Sequence, residues 1–212
     1  VRGAPVATLA GSTIDLGRPW PRLSVAEAFR RHAGVELREC LDRDGLHRAA
    51  AAAGCRSVTA TDTWEDAFHK LLIERVEPAL QACGACFLVD YPVAVGALAR
   101  GCPDDPEWVE RAEAYVGGME LANGFSELND AAEQRRRFAQ EAQRRRAAGA
   151  APLAADEPFL RMLEGGMAPA GGMALGVDRL VMLCGGAGSL DEVIAFPLVG
   201  TGTDGSGAAG PL

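Results

Sequence analysis

Gly117-Gly118 constrains this chain most. Adjacent glycines supply the positive φ angles that a two-residue hairpin turn needs, and they lie between Glu110 to Val116 and Met119 to Leu128, where apolar and polar residues interleave. The pattern predicts an antiparallel strand pair. Period-2 alternation puts Asn123, Phe125 and Glu127 on one face of the second strand. Glu120 is an odd number of steps from Asn123 and joins that face only if a bulge near Ala122 or Gly124 resets the phase. The hairpin thus gathers Glu113, Glu120, Asn123, Phe125 and Glu127. Two readings stand open: a solvated acidic face, since Asp and Glu are mostly exposed, or a site. Carboxylates and an amide around an aromatic ring suit an ammonium group, and paired carboxylates suit Mg²⁺ shared with phosphate oxygens.

Around the hairpin, residues 1 to 23 hold β-branched positions near Val6, Thr8, Thr13 and Ile14, then Gly17-Arg18-Pro19-Trp20-Pro21, which reads as one or two short strands and a turn. Ser24-Val25-Ala26-Glu27 has the form of a capping box and predicts a helix stopping at Gly34. Helices are also expected over Asp44 to Ala53, ended by Gly54, and over Thr63 to Val76, ending before Pro78. Phe87 to Pro92 reads as a buried strand closed by its proline. After the hairpin come a polar helix from Asp130 to Ala148 and a short one from Asp156 to Leu163. A glycine-rich strand from Gly171 to Gly176 then enters an apolar helix, Val177 to Cys184, and Val193 to Phe196 reads as a last strand. The Gly-, Ala-, Ser- and Thr-rich tail, 201–212, is expected to be disordered.

Composition removes several function classes. A net charge of −8 with a pI near 5.0 excludes a generally basic nucleic-acid coat. No uncharged apolar run reaches the ~18 residues of a membrane span, so no membrane partner is expected. With 212 residues, one domain can bury a core without disulfides or metal. Six scattered cysteines without a signal-peptide pattern suit reduced thiols in a cytoplasm. Cys83-Gly84-Ala85-Cys86 lacks two further ligands at zinc spacing. The arginine triplets 135–137 and 144–146 start nine residues apart, half a turn out of phase on a helix, which favours a solvated helix over one docking stripe.

A second constellation, Gly172-x-Ala174-x-Gly176-Val177-Asp178-Arg179, brings small residues and an arginine to a strand-to-helix junction. Tight packing with Arg179 paired to an acid, and phosphate binding at the helix N-terminus, are comparable readings. No βαβ unit or ribose-binding acid follows, so this is not a Rossmann fingerprint.

Taken together, EAYVGGMELANGFSELND at 113 to 130, GMALGVDRLVML at 172 to 183 and VIAFP at 193 to 197 resemble class II lysyl-tRNA synthetases. The likeness runs from Ala7 to Pro197 and includes STIDLGRPWPRLSVAEAF and Tyr91-Pro92 followed by Leu98-Ala99-Arg100. Leu121-Ala122, and Ala174 where synthetases usually carry Gly, resemble the elongation factor P lysine ligases, a stand-alone catalytic-domain paralogue. Ser126-Glu127 and Asn129-Asp130 are closer to true synthetases.

The resemblance implies an α+β fold: a class II aminoacyl-tRNA synthetase catalytic domain with an antiparallel six-stranded sheet flanked by helices, usually a homodimer. It implies N-terminal incompleteness too, because the family's first two motifs are expected before Val1, leaving 1–200 as the C-terminal part of that domain. ATP and Mg²⁺ are the implied cofactors. Glu113 and Glu120 match the metal-holding carboxylates, and Asn123, Phe125 and Glu127 the amino-acid pocket, with Glu127 pairing the lysine side-chain ammonium. Arg179 matches the catalytic arginine that contacts ATP, Gly176 leaves the nucleotide room, and Ala174 narrows the pocket, which in the ligases accompanies (R)-β-lysine. The implied chemistry is adenylation of lysine or (R)-β-lysine and transfer to a lysine of elongation factor P. Transfer to tRNA is less expected, because the anticodon-reading OB-fold of the synthetases is absent from this sequence. A synthetase fragment and a non-catalytic binding paralogue are the alternatives.

Overall fold

In chain order the computed structural model contains β1 (Val6–Leu9), β2 (Ser12–Asp15), β3 (Arg22–Ser24), α1 (Val25–Ala28), α2 (Arg43–Ala52), α3 (Trp64–Leu71), α4 (Glu77–Leu80), β4 (Ala85–Pro92), β5 (Gly101–Cys102), β6 (Asp105–Val116), β7 (Met119–Ser126), α5 (Ala131–Ala147), α6 (Glu157–Glu164), β8 (Gly171–Leu175) and α7 (Val177–Gly185). It describes residues 3–9 and 11–197; the tail expected to be disordered lies outside them. The glycine pair turns as its chemistry requires, at φ +62° and +83°, and joins β6 to β7 in antiparallel register.

Six strands make the main sheet, in the order β3-β4-β6-β7-β8 with β5 beside β6. The expectation of an antiparallel sheet needs one correction. β3 pairs with β4 in parallel, Arg22 opposite Phe87, because α1 to α4 intervene and supply the long crossover that parallel pairing demands. The sheet is mixed, and β1 and β2 form a separate hairpin.

One face of the sheet carries Cys86, Leu88, Tyr91 and Tyr115 into a core shared with Val25, Phe29, Leu46, Phe68, Leu71 and Leu80 of the helical layer. The other face presents Ala85 and Val116 to Leu9, Ile14 and Leu183, so the β1–β2 hairpin and α7 cover it. Among the described residues no helix is long and apolar enough to cross a membrane.

Helix ends follow their caps, with two corrections. Ser24 accepts from the Glu27 N–H at 3.2 Å, but Glu27 does not reach back; Arg30, at 2.7 Å, and Arg31 take its carboxylate. The full capping box is at Thr63 and Asp66. The third helix does not end before Pro78: a π-helical turn, Leu72–Val76, follows α3 and leads into α4, with Pro78 in its first turn where a missing N–H costs little. Val193 to Phe196 is not a strand; it pairs with none of the described residues, and Phe196 is 91% exposed.

Lys70 Nζ stands 2.7 Å from Asp62 Oδ2 and ties α3 to the preceding loop. With the Thr59 N–H and hydroxyl, it holds the Asp62 carboxyl down at about 2, against an ordinary 3.8. A depressed folded-state value means stabilisation present above the unfolded value and lost as pH falls through the folded one. Urea midpoints should therefore drop between about pH 4 and pH 2, and Lys70→Met should flatten that part of the profile. An unchanged profile would contradict the pairing.

Candidate functional site

β-sheet register assembles the site. Leu88, Glu113, Asn123 and Ala174 stand side by side across β4, β6, β7 and β8, and Arg111, Phe125 and Gly172 form the next row of the same face. In the row on the other side Tyr115 pairs with Glu120, because Leu121 is the extra residue of a bulge. The anticipated phase reset therefore exists, one position before Ala122, and brings Glu120 onto the face of Asn123. Asn123 Nδ2 donates to Glu113 Oε1 at 2.8 Å and faces Glu120 Oε1 at 3.4 Å.

Glu113 is buried at 5% exposure. Its charge is held by Arg111 Nη2 at 2.6 Å, and Tyr115 donates to Oε2 at 2.9 Å. Arg111 also donates to the Val95 carbonyl at 2.7 Å and lies over the Tyr91 ring, 4.6 Å from its centroid. Glu120 is more open, and Arg179 reaches it from α7: Nη1 donates to its carbonyl at 2.8 Å and lies 3.4 Å from Oε2. The acid-paired reading of Arg179 thus holds in this structure, with a third of its side chain still exposed.

Glu127 lies just past β7, bridged to Ala99. It is half-buried, and among the described residues its carboxylate has no hydrogen-bonding or ionic partner. A Cβ on Gly172 would stand at ordinary contact distance, 3.4 Å, from Glu127 Oε1, whereas one on Gly124 would strike the Gly172 carbonyl at 2.5 Å, so Gly124 allows β7 and β8 to approach. Gly176 is less constrained, since an added Cβ there meets only ordinary contacts.

Two recesses open here. One of about 210 Å³ is lined by His69, Tyr91, Glu113, Glu120 and Asn123, with Glu77. The other, about 580 Å³, lies among Glu77, Glu120, Arg179 and Ser189 to Asp191. Among the described residues the Tyr91 hydroxyl, buried in the first recess, meets no hydrogen-bond partner, and burial, with the Glu113 carboxylate adding to it, pushes its pKa well above normal. An orphaned hydroxyl beside carboxylates is what a polar guest would satisfy. A cleft of about 810 Å³ overlies Val89, Ala112, Gly124 and Met173 on the opposite face, away from the carboxylate pair.

Residues 4–200 match the family model for tRNA synthetases class II (D, K and N). The chain belongs to this family. It is 38% identical to the lysine–tRNA ligase of Chloroflexus aurantiacus over 197 residues, covering 93% of this chain and 40% of that protein. The lysine–tRNA ligase of Moorella thermoacetica is 40% identical over 195 residues, covering 92% and 39%. That of Anaeromyxobacter sp. (strain K) is 40% identical over 209 residues, covering 94% and 41%. The chain spans about two fifths of the length of these curated relatives.

Within this class II domain, Glu113, Glu120, Asn123, Phe125, Ala174 and Arg179 converge on one stretch of sheet and helix, with Glu127 at its end. Sequence reading missed Arg111, Tyr115, Tyr91, His69 and Glu77. Arg111 and Tyr115 lie two residues either side of Glu113, so the same alternation could have found them. Among the described residues no three His, Cys, Asp or Glu side chains form a metal cage. Most of the triplet arginines make internal contacts: Arg135 with Glu157 and Glu164, Arg136 and Arg137 with Glu133, Arg144 with Glu65, and Arg145 with the Ala151 carbonyl.

Proposed function

We propose that this sheet face activates a lysine-type amino acid with ATP, releasing pyrophosphate and leaving an aminoacyl adenylate. The observation that carries the reading is the Glu127 carboxylate, which has no partner among the described residues and stands beside Gly172 at the end of the strand that carries Asn123 and Phe125. It would accept the side-chain ammonium, with the cation near the Phe125 ring. Glu113 and Glu120 would hold Mg²⁺: two oxygen donors around one amide, one of them open, fit an ion that keeps waters and takes phosphate oxygens. When bound, Mg²⁺ would neutralise phosphate charge. Arg179, released from Glu120, would contact the nucleotide, and Gly176 borders its place. A lysine carboxylate oxygen then attacks the ATP α-phosphorus and pyrophosphate leaves, promoted by positioning and charge neutralisation.

The acceptor reading is finer. The named relatives are lysine–tRNA ligases, which favours tRNA as acceptor for a longer protein of this kind. Ala174, whose register partner is Asn123, favours (R)-β-lysine and a lysine of elongation factor P, in the cytoplasm where translation runs. Calorimetry with L-lysine and (R)-β-lysine tests this. The ligase reading expects tighter binding of (R)-β-lysine, and Ala174→Gly should move the preference toward L-lysine by about tenfold, the scale of one methyl-sized contact. Equal affinities unmoved by Ala174→Gly would reject that reading and leave the tRNA one.

A further inference from the structure

Glu77 was not foreseen in the sequence, and it borders both recesses of the site. It comes directly after the π-helical turn Leu72–Val76. One extra residue in a turn rotates the next residues by about 100° relative to a regular helix, and here the residue so rotated enters the site. Tyr115 Oη lies 3.1 Å from Glu77 Oε1 and 2.9 Å from Glu113 Oε2. We propose that Glu77 is a positioning residue, which through the Tyr115 hydroxyl fixes the orientation of the metal-holding carboxylate of Glu113; this rests on the metal role given to Glu113 above.

Hydrogen-bond stoichiometry supports the assignment. A phenol has one proton to donate. Glu113 is buried, paired with Arg111 and accepting at Oε1 from Arg111 and Asn123, so the Tyr115 proton belongs to Glu113 Oε2. The second contact is a hydrogen bond only if Glu77 donates to the Tyr115 oxygen. Burial raises the Glu77 pKa and the nearby Glu113 and Glu120 charges add to that rise, while the Tyr115 contact and the Arg179 charge oppose it. Glutamine can donate in the same place; alanine cannot.

Mn²⁺ alone, followed by electron paramagnetic resonance, is the probe. Glu77→Ala should weaken Mn²⁺ binding about tenfold, the usual scale for losing a group that orients a metal ligand. Glu77→Gln should restore it to within about twofold. In a Tyr115→Phe background, Glu77→Ala should have no further effect, because the two act as one unit. Wild-type Mn²⁺ affinity in Glu77→Ala, or additive losses, would overturn the inference. If the unmutated chain binds no Mn²⁺, the metal role of Glu113 falls instead, and the relay is judged without metal. The chain has two tyrosines, so in a Tyr91→Phe background resonance Raman reads Tyr115 by itself. Its hydroxyl should change from donor-and-acceptor to donor only in Glu77→Ala and not in Glu77→Gln; an unchanged spectrum in Glu77→Ala rejects the relay.

Discussion

Arg111→Met is expected to lower the unfolding free energy by about 3–5 kcal/mol, the cost of leaving a buried charge unpaired. The Arg111 side chain is 19% exposed and that of its partner Glu113 only 6%, so solvent cannot replace the lost pairing. The same change removes a donor from the Val95 carbonyl and the cation from the Tyr91 ring. At about 2–4 °C per kcal/mol for a chain of this size, the melting temperature should fall on the order of 10 °C. Adding Glu113→Gln should recover most of the loss, since the uncompensated charge goes with it. A single mutant less than about 1 kcal/mol below wild type would contradict the buried Arg111–Glu113 pairing.

The second large effect concerns ligand affinity. Glu127→Gln keeps the shape and removes the charge. Hydrogen bonds to charged groups contribute about 1.5–3 kcal/mol, so binding of L-lysine or (R)-β-lysine should weaken by roughly 10–100-fold. Stability should hardly move, because the carboxylate has no partner among the described residues. That combination separates a ligand-binding carboxylate from a structural one. Unchanged affinity would remove Glu127 from the pocket; a large loss of stability would give it a structural role.

Much of this site is local and therefore legible in the sequence. Strand alternation and a two-glycine turn determine which hairpin residues share a face, and the odd spacing of Glu120 and Asn123 makes a bulge the condition for their meeting; that it exists, at Leu121, came from the structure. The Gly171–Gly176 strand and the helix after it were likewise readable from small residues followed by an apolar run. Glu77 was not, since its contact with Tyr115 spans 38 positions and depends on a π-helical turn that no periodicity announces. The parallel β3–β4 pair depends on where a four-helix crossover returns. Val193 to Phe196 has strand composition but no ladder partner among the described residues, and composition cannot supply one.

Adenylation of a lysine-type amino acid at this sheet face can be measured by ATP–pyrophosphate exchange on the 212-residue chain, shown to be folded by its thermal transition. Mg²⁺-dependent exchange is expected, requiring L-lysine or (R)-β-lysine and lost in Arg179→Ala. A folded chain that exchanges no pyrophosphate with either amino acid would contradict the assignment of this face as an adenylation site.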